Sequence, residues 1–131
     1  MTDTRKNIEI LRKHKIGIIS NDVIMVNEFT NIMDKLGVPV VSDTEIKIDI
    51  LLDSDIDIIL TDIPIFMTGI SKYIEEILDK SPDIKILLLT NERTDSDMIQ
   101  YALVKGASSY IKKPLDYIIL VQKLVEYLED P

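Results

Sequence analysis

Short apolar runs in this 131-residue chain are followed at once by residues that handle charge. After Ile16–Ile19 come Ser20, Asn21 and Asp22, and after Ile56–Leu60 comes Asp62. After Ile84–Leu89 come Thr90 and Asn91, and after Tyr110–Ile111 come Lys112, Lys113 and Pro114. A carboxylate, a hydroxyl and an ammonium brought to one rim make a site for a phosphoryl group or another anion, with a cation beside the carboxylate. Taken singly, each residue has a plainer reading. An Asp at a strand end most often caps a turn or a helix, and Asp22 suits a helix cap better than a metal ligand. Thr90 alone reads as a strand end, and Lys112 as a solvated neighbour of Lys113.

The elements that must position these residues follow from the apolar pattern. The four runs above, with Val38–Val41, are short, rich in Ile and Val and bounded by polar turns, which suits strands buried on both faces. Between them, Met25, Phe29, Ile32 and Leu36 recur at helical spacing before Gly37. Ile70, Ile74, Ile77 and Leu78 form a second stripe, ended by Ser81-Pro82. Thr94 with Asp97 reads as a capping box for a helix to Lys105, closed by Gly106. A last helix is predicted from about Leu115 to Glu129. In 45–53, Ile46, Ile48 and Ile50 alternate like a strand, but the rhythm requires a crossover there, so a short helix is expected. The whole reads as five βα units: an α/β, doubly wound, five-stranded parallel sheet with helices on both faces. In such a sheet, ligands sit at the carboxyl ends of the strands, where the charged residues gather.

Composition narrows the function. One domain fits this length; residues 15–131 supply it, with 1–14 as a charged extension that is an extra helix, a disordered arm or a docking segment. A net charge of −8 argues against direct nucleic-acid binding, because phosphate contacts need a basic face. With no Cys and one His, disulfides, thiolate metal sites and most hydrolase triads are excluded, and His14 reads as part of a solvated basic segment. No apolar run approaches the roughly 20 residues of a membrane span, and no signal core opens the chain, so the cytoplasm is the expected location. Met25, Met33 and Met98 read as core filler. Gly17, Gly37, Gly69 and Gly106 compose neither a dinucleotide fingerprint nor a P-loop, which counts against a flavodoxin-like enzyme.

From about residue 15 to residue 130, the chain resembles the receiver domain of bacterial two-component response regulators. The resemblance rests on Asp-Ile-Ile-Leu-Thr-Asp at 57–62, on Thr90, and above all on Lys105-Gly-Ala-Ser-Ser-Tyr-Ile-Lys-Lys-Pro114. It implies a three-layer CheY-like sandwich and a switch in a phosphorelay, not an enzyme with its own substrate. Asp62 would be the phosphoacceptor for a sensor histidine kinase or phosphotransfer protein, and Lys113 its partner. Thr90 would donate to the phosphoryl group. Tyr110 would follow by changing rotamer, passing the signal through the fourth helix, fifth strand and fifth helix to an output protein or domain. The Lys113–Pro114 bond would be cis. Mg²⁺ would be the cofactor, held by Asp62 with Asn21, Asp22 and the carbonyl of Pro64.

Two departures bear on that site. The family's adjacent acids at the end of the first strand fall on Ser20 and Asn21. Each missing charge removes of order 4 kcal/mol of attraction per unit pair, at about 4 Å and an effective dielectric near 20. Mg²⁺ favours carboxylate oxygens, so its affinity should fall unless Asp22 swings inward. After Asp62, Pro64 and Gly69 come earlier than the family's Pro and Gly, which re-kinks the loop. The alternative is therefore a degenerate receiver that acts by binding alone. Finally, Tyr117, Ile118, Ile119, Leu120, Val121, Leu124, Val125, Tyr127 and Leu128 cover more than a stripe of about 100°, and a twofold dimer through the fourth and fifth helices is expected.

Overall fold

A computed structural model of the chain describes residues 4–43, 55–62 and 67–129. Strands β1 (Ile16–Ile19), β2 (Val40–Asp43), β3 (Ile58–Asp62), β4 (Lys85–Thr90) and β5 (Ser109–Lys112) form one parallel sheet in the order β2-β1-β3-β4-β5. Among the described residues the helices are α1 (Thr4–Arg12), α2 (Val23–Lys35), α3 (Met67–Lys80), α4 (Ser96–Val104) and α5 (Tyr117–Glu129). The short helix expected over 45–53 lies outside the described residues, as do Pro64 and the loop around it.

The period-2 geometry of a strand divides the core into two layers. Ile16, Ile18, Ile58, Leu60, Leu87 and Leu89 point to the face covered by α1, α2 and α5, against Phe29, Met33 and Leu120. Ile19, Ile59, Ile86 and Leu88 point to the other face, against Tyr73, Ile74 and Ile77 of α3 and Ala102 of α4. Most strand positions between covering helices are apolar, with Thr61 and Thr90 the buried polar exceptions near the strand ends, which is why these runs read as continuous and not alternating.

Two helix ends explain why the chain turns where it does. After the C-cap Leu36, Gly37 takes φ +74°, its N–H donates to the Asp34 carbonyl at 3.0 Å, and Val38 N–H donates to the Met33 carbonyl at 2.9 Å. This paired closure uses a left-handed residue that glycine adopts without steric cost. The same closure ends α4, with Gly106 N–H to Leu103 and Ala107 N–H to Ala102. Since Val38 completes the turn of α2, β2 begins at Val40, two residues later than its apolar run. β3 likewise begins at Ile58, so Asp62 is its last residue.

Three expectations need correction. The N-cap of α4 is Asp95, whose carboxylate accepts from Asp97 N–H at 2.8 Å; the Thr94 hydroxyl instead accepts from Asn91 N–H in the preceding turn. α5 begins at Tyr117, because the Asp116 carboxylate accepts from the N–H groups of Ile118 and Ile119. His14 is not simply solvated. Its Nδ1 lies 3.2 Å from Oδ2 of Asp57, an oxygen that also accepts from Lys15 N–H. Of the three options left open for the N-terminal segment, residues 4–12 take the first. They form a helix whose Leu11 is fully buried against the α2 and α5 layer, and Arg12 Nε donates to the Leu36 carbonyl at 2.7 Å.

Candidate functional site

Strand register assembles the site. Ile19 pairs with Thr61, so Ser20 and Asp62 stand side by side one step further along β1 and β3. This is the point where the strand order reverses, with β1 and β3 followed by connections on opposite sides, and it is where doubly wound sheets hold ligands. Asp62 pairs with Leu89, and Thr90 with Lys112, which brings Thr90 and Lys113 to the same rim.

The Asp62 carboxylate has a partner on each oxygen. Lys113 Nζ donates to Oδ1 at 2.9 Å, and the Ser20 hydroxyl donates to Oδ2. Both ends of the ion pair are only partly accessible, with 25% of the Asp62 and 20% of the Lys113 side-chain surface exposed. Lys113 is set in place by its own backbone, whose N–H donates to the Thr90 carbonyl at 2.7 Å; the Lys113–Pro114 peptide is cis. Thr90 is buried, and its hydroxyl reaches the Ile111 carbonyl only at 3.4 Å, a weak contact that leaves it free to find a better acceptor.

Ser20 in turn accepts from the backbone N–H of Asp22 at 3.1 Å. Asp22 is the N-cap of α2, with its Oδ1 accepting from Met25 N–H at 3.1 Å. The plainer of its two sequence readings is thus the role this carboxylate performs. Asn21 is exposed beside it. Tyr110 is 42% exposed at the β5 edge. Lys123 of α5 binds the Tyr110 carbonyl at 2.9 Å and lies over the ring, with Nζ 5.7 Å from its centroid. Lys112 points to Glu92 across 3.8 Å of exposed surface, away from Asp62.

Mg²⁺ requires near-octahedral oxygen coordination, with carboxylates to offset its charge. Among the described residues no three Asp, Glu or His side chains cluster to hold a metal. Of the rim carboxylates described, Asp62 already faces an ammonium and Asp22 caps α2. The described donor set does not fit the ion.

Beside the Ser20–Asp62 bond, a second contact at the site has no counterpart among the sequence-based expectations. Thr61, adjacent to Asp62, points to the opposite face and shares a 2.6 Å hydrogen bond with Tyr73 of α3. Burial pushes the Tyr73 phenol up to about 12, partly offset by the Thr61 bond, with the nearby Asp62 charge adding to the rise. The signal was present in the spacing: Tyr73 precedes Ile74 in the α3 stripe, and a buried tyrosine hydroxyl seeks a partner.

Fold and site together define a receiver domain. Residues 16–125 match the family model of the response regulator receiver domain, and the chain belongs to that family. A 66-residue stretch is 44% identical to the response regulator SaeR of Staphylococcus epidermidis, spanning 49% of this chain and 28% of that protein. A two-component response regulator from Clostridium difficile superposes with a TM-score of 0.76 at 20% identity, covering 88% of this chain and 95% of that one. A co-crystal structure of the Saccharomyces cerevisiae phosphotransfer protein Ypd1 with the receiver domain of Ssk1 matches with a TM-score of 0.70 at 16% identity, over 87% of this chain and 88% of that one. These likenesses establish a CheY-like fold. No helix among the described residues is long and apolar enough to cross a membrane.

Proposed function

We propose that this receiver domain accepts a phosphoryl group on Asp62 from a histidine kinase or phosphotransfer protein and passes the change to an output partner in the cytoplasm. The observation that carries this reading is the Lys113 ammonium 2.9 Å from Asp62 Oδ1, at the switch point of the sheet. Phosphoryl transfer is mainly positioning and charge neutralisation, and a fixed ammonium supplies both. An oxygen of Asp62 attacks phosphorus, the phosphorus–nitrogen bond of the donor phosphohistidine breaks, and the imidazole nitrogen keeps the electron pair and takes a proton. Lys113 stays with the charge on the acyl phosphate, and the Thr90 hydroxyl, weakly held at 3.4 Å, turns to a phosphoryl oxygen. Tyr110 then leaves its exposed place beside Lys123. The chain has no substrate of its own beyond this transfer and the later loss of the phosphoryl group. Ssk1 in its complex with Ypd1 is the analogy for the donor.

The output surface of this reading lies around β5, where Tyr101 and Val104 of α4, Tyr110, and Ile119 of α5 are exposed. Ile119 stands one turn before Lys123, which faces the β5 edge, and a twofold dimer would cover it. A second reading has its own observation. The acid pair of the family is replaced by Ser20 and Asn21, which favours a degenerate receiver that signals by binding alone. Intact mass after incubation with a small phosphodonor, beside an Asp62→Asn control, separates the two. A hydroxylamine-labile gain of one phosphoryl group, lost in the control, supports the acceptor; no gain in folded protein supports the binding module.

A further inference from the structure

We infer that the Asp62 pocket works without a divalent cation, the Ser20 hydroxyl and the Lys113 ammonium doing at the two carboxylate oxygens what a metal ion and a lysine would share. The inference rests on Asp62 as the acceptor only for its consequence in transfer; the claim about the cation stands on geometry. Three observations point the same way. The oxygen of Asp62 that Lys113 leaves open is taken by the Ser20 hydroxyl, and Ser20 is itself fixed by the Asp22 N–H. The nearest spare carboxylate, Asp22, is committed to the N-terminus of α2, where swinging inward would leave Met25 N–H without its cap. The charge of Asp62 is already balanced within its pair with Lys113. A dication entering at Oδ2 would displace a hydroxyl hydrogen bond, approach an ammonium, and find no cluster of three metal-ligating side chains among the described residues.

The hydroxyl is a fitting substitute because it is a donor. It holds Oδ2 while leaving Asp62 nucleophilic, and it can rotate to a phosphoryl oxygen once the acyl phosphate forms.

The test is a titration of the whole chain with MgCl₂, followed by amide NMR, beside the variant Ser20→Asp/Asn21→Asp. The wild type should show no saturable shift at residues around Asp62, whereas the variant should gain one. A saturable wild-type shift centred on Asp62 overturns the inference, whether or not the variant folds. Intact-mass phosphorylation is then run in Mg²⁺ and in chelator. A chelator yield within about twofold of the Mg²⁺ yield supports the inference, and a yield confined to Mg²⁺ overturns it. If no adduct forms in either buffer, Asp62 is not the acceptor, and the titration alone decides whether the pocket takes the cation.

Discussion

Ser20 and Asp62 occupy matching positions on neighbouring parallel strands, and the serine hydroxyl donates to the aspartate across the gap between them. The pairing register of β1 and β3 therefore sets the chemistry of the rim. Any residue at position 20 must face the acceptor, and the small neutral donor found here leaves a compact, charge-balanced pair of Asp62 and Lys113.

Removing the lysine leaves that balance broken. Lys113→Ala should cost about 1–2 kcal/mol, less than the 3–5 typical of a fully buried pair, because both groups retain some solvent. Urea unfolding measures the loss, and Lys113→Ala/Asp62→Asn should recover part of it. A double variant no more stable than the single would show that the pair is not coupled.

Leu11 tests whether the N-terminal helix is part of the core. Its side chain is fully buried in the α2 and α5 layer, so Leu11→Ala should destabilise by about 2–5 kcal/mol. A segment that merely hung from the domain would show no change in thermal or urea midpoint.

Gly106 ends α4 at φ +124°, and a Cβ there would stand 2.5 Å from Leu78 Cδ1. Leu78 can yield, but the backbone conformation cannot suit an L side chain. Gly106→Ala should cost about 1–3 kcal/mol in urea unfolding, the usual strain at such a position.

The Tyr73 phenol, raised to about 12, carries a pH dependence of definite sign. Above about pH 10 the unfolded chain loses this proton while the folded chain keeps it, so folding stability falls as pH rises from about 10 to about 12. Tyr73→Phe removes that contribution and leaves Thr61 without its partner, at about 1 kcal/mol near neutral pH. Unfolding curves at both pH values, with and without the substitution, check the sign.

If Asp62 is the acceptor, Thr90→Val should keep most of the mass gain yet lose the accompanying change at Tyr110. Amide and ring NMR signals of Tyr110, before and after phosphodonor, report it. An unaltered Tyr110 response in the variant would remove Thr90 from the switch.

Much of this molecule is visible in its residues. Ile- and Val-rich runs between helical stripes lead to five parallel strands, and the meeting of Asp62, Thr90 and Lys113 follows from their places at strand ends. What escaped has physical reasons. The strand start at Val40 came late because Val38 closes a helix, which periodicity does not register. Arg and Lys crowd the first 15 residues, so composition left a helix, an arm and a docking segment open, and burial of Leu11 with Ile10 packed beside it is what seats a helix. The Ser20–Asp62 bond needs strand register, a non-local quantity that one sequence does not display. His14 found Asp57 for the same reason, across 43 positions.

The Lys123 contact to the Tyr110 carbonyl has a bearing on solubility. β5 is a terminal strand of the sheet, and a terminal strand offers unpaired backbone groups to any passing extended chain. Lys123 occupies one of those acceptors and sets a positive charge against the strand. Its replacement by an apolar residue would free that acceptor and remove the charge that blunts this edge.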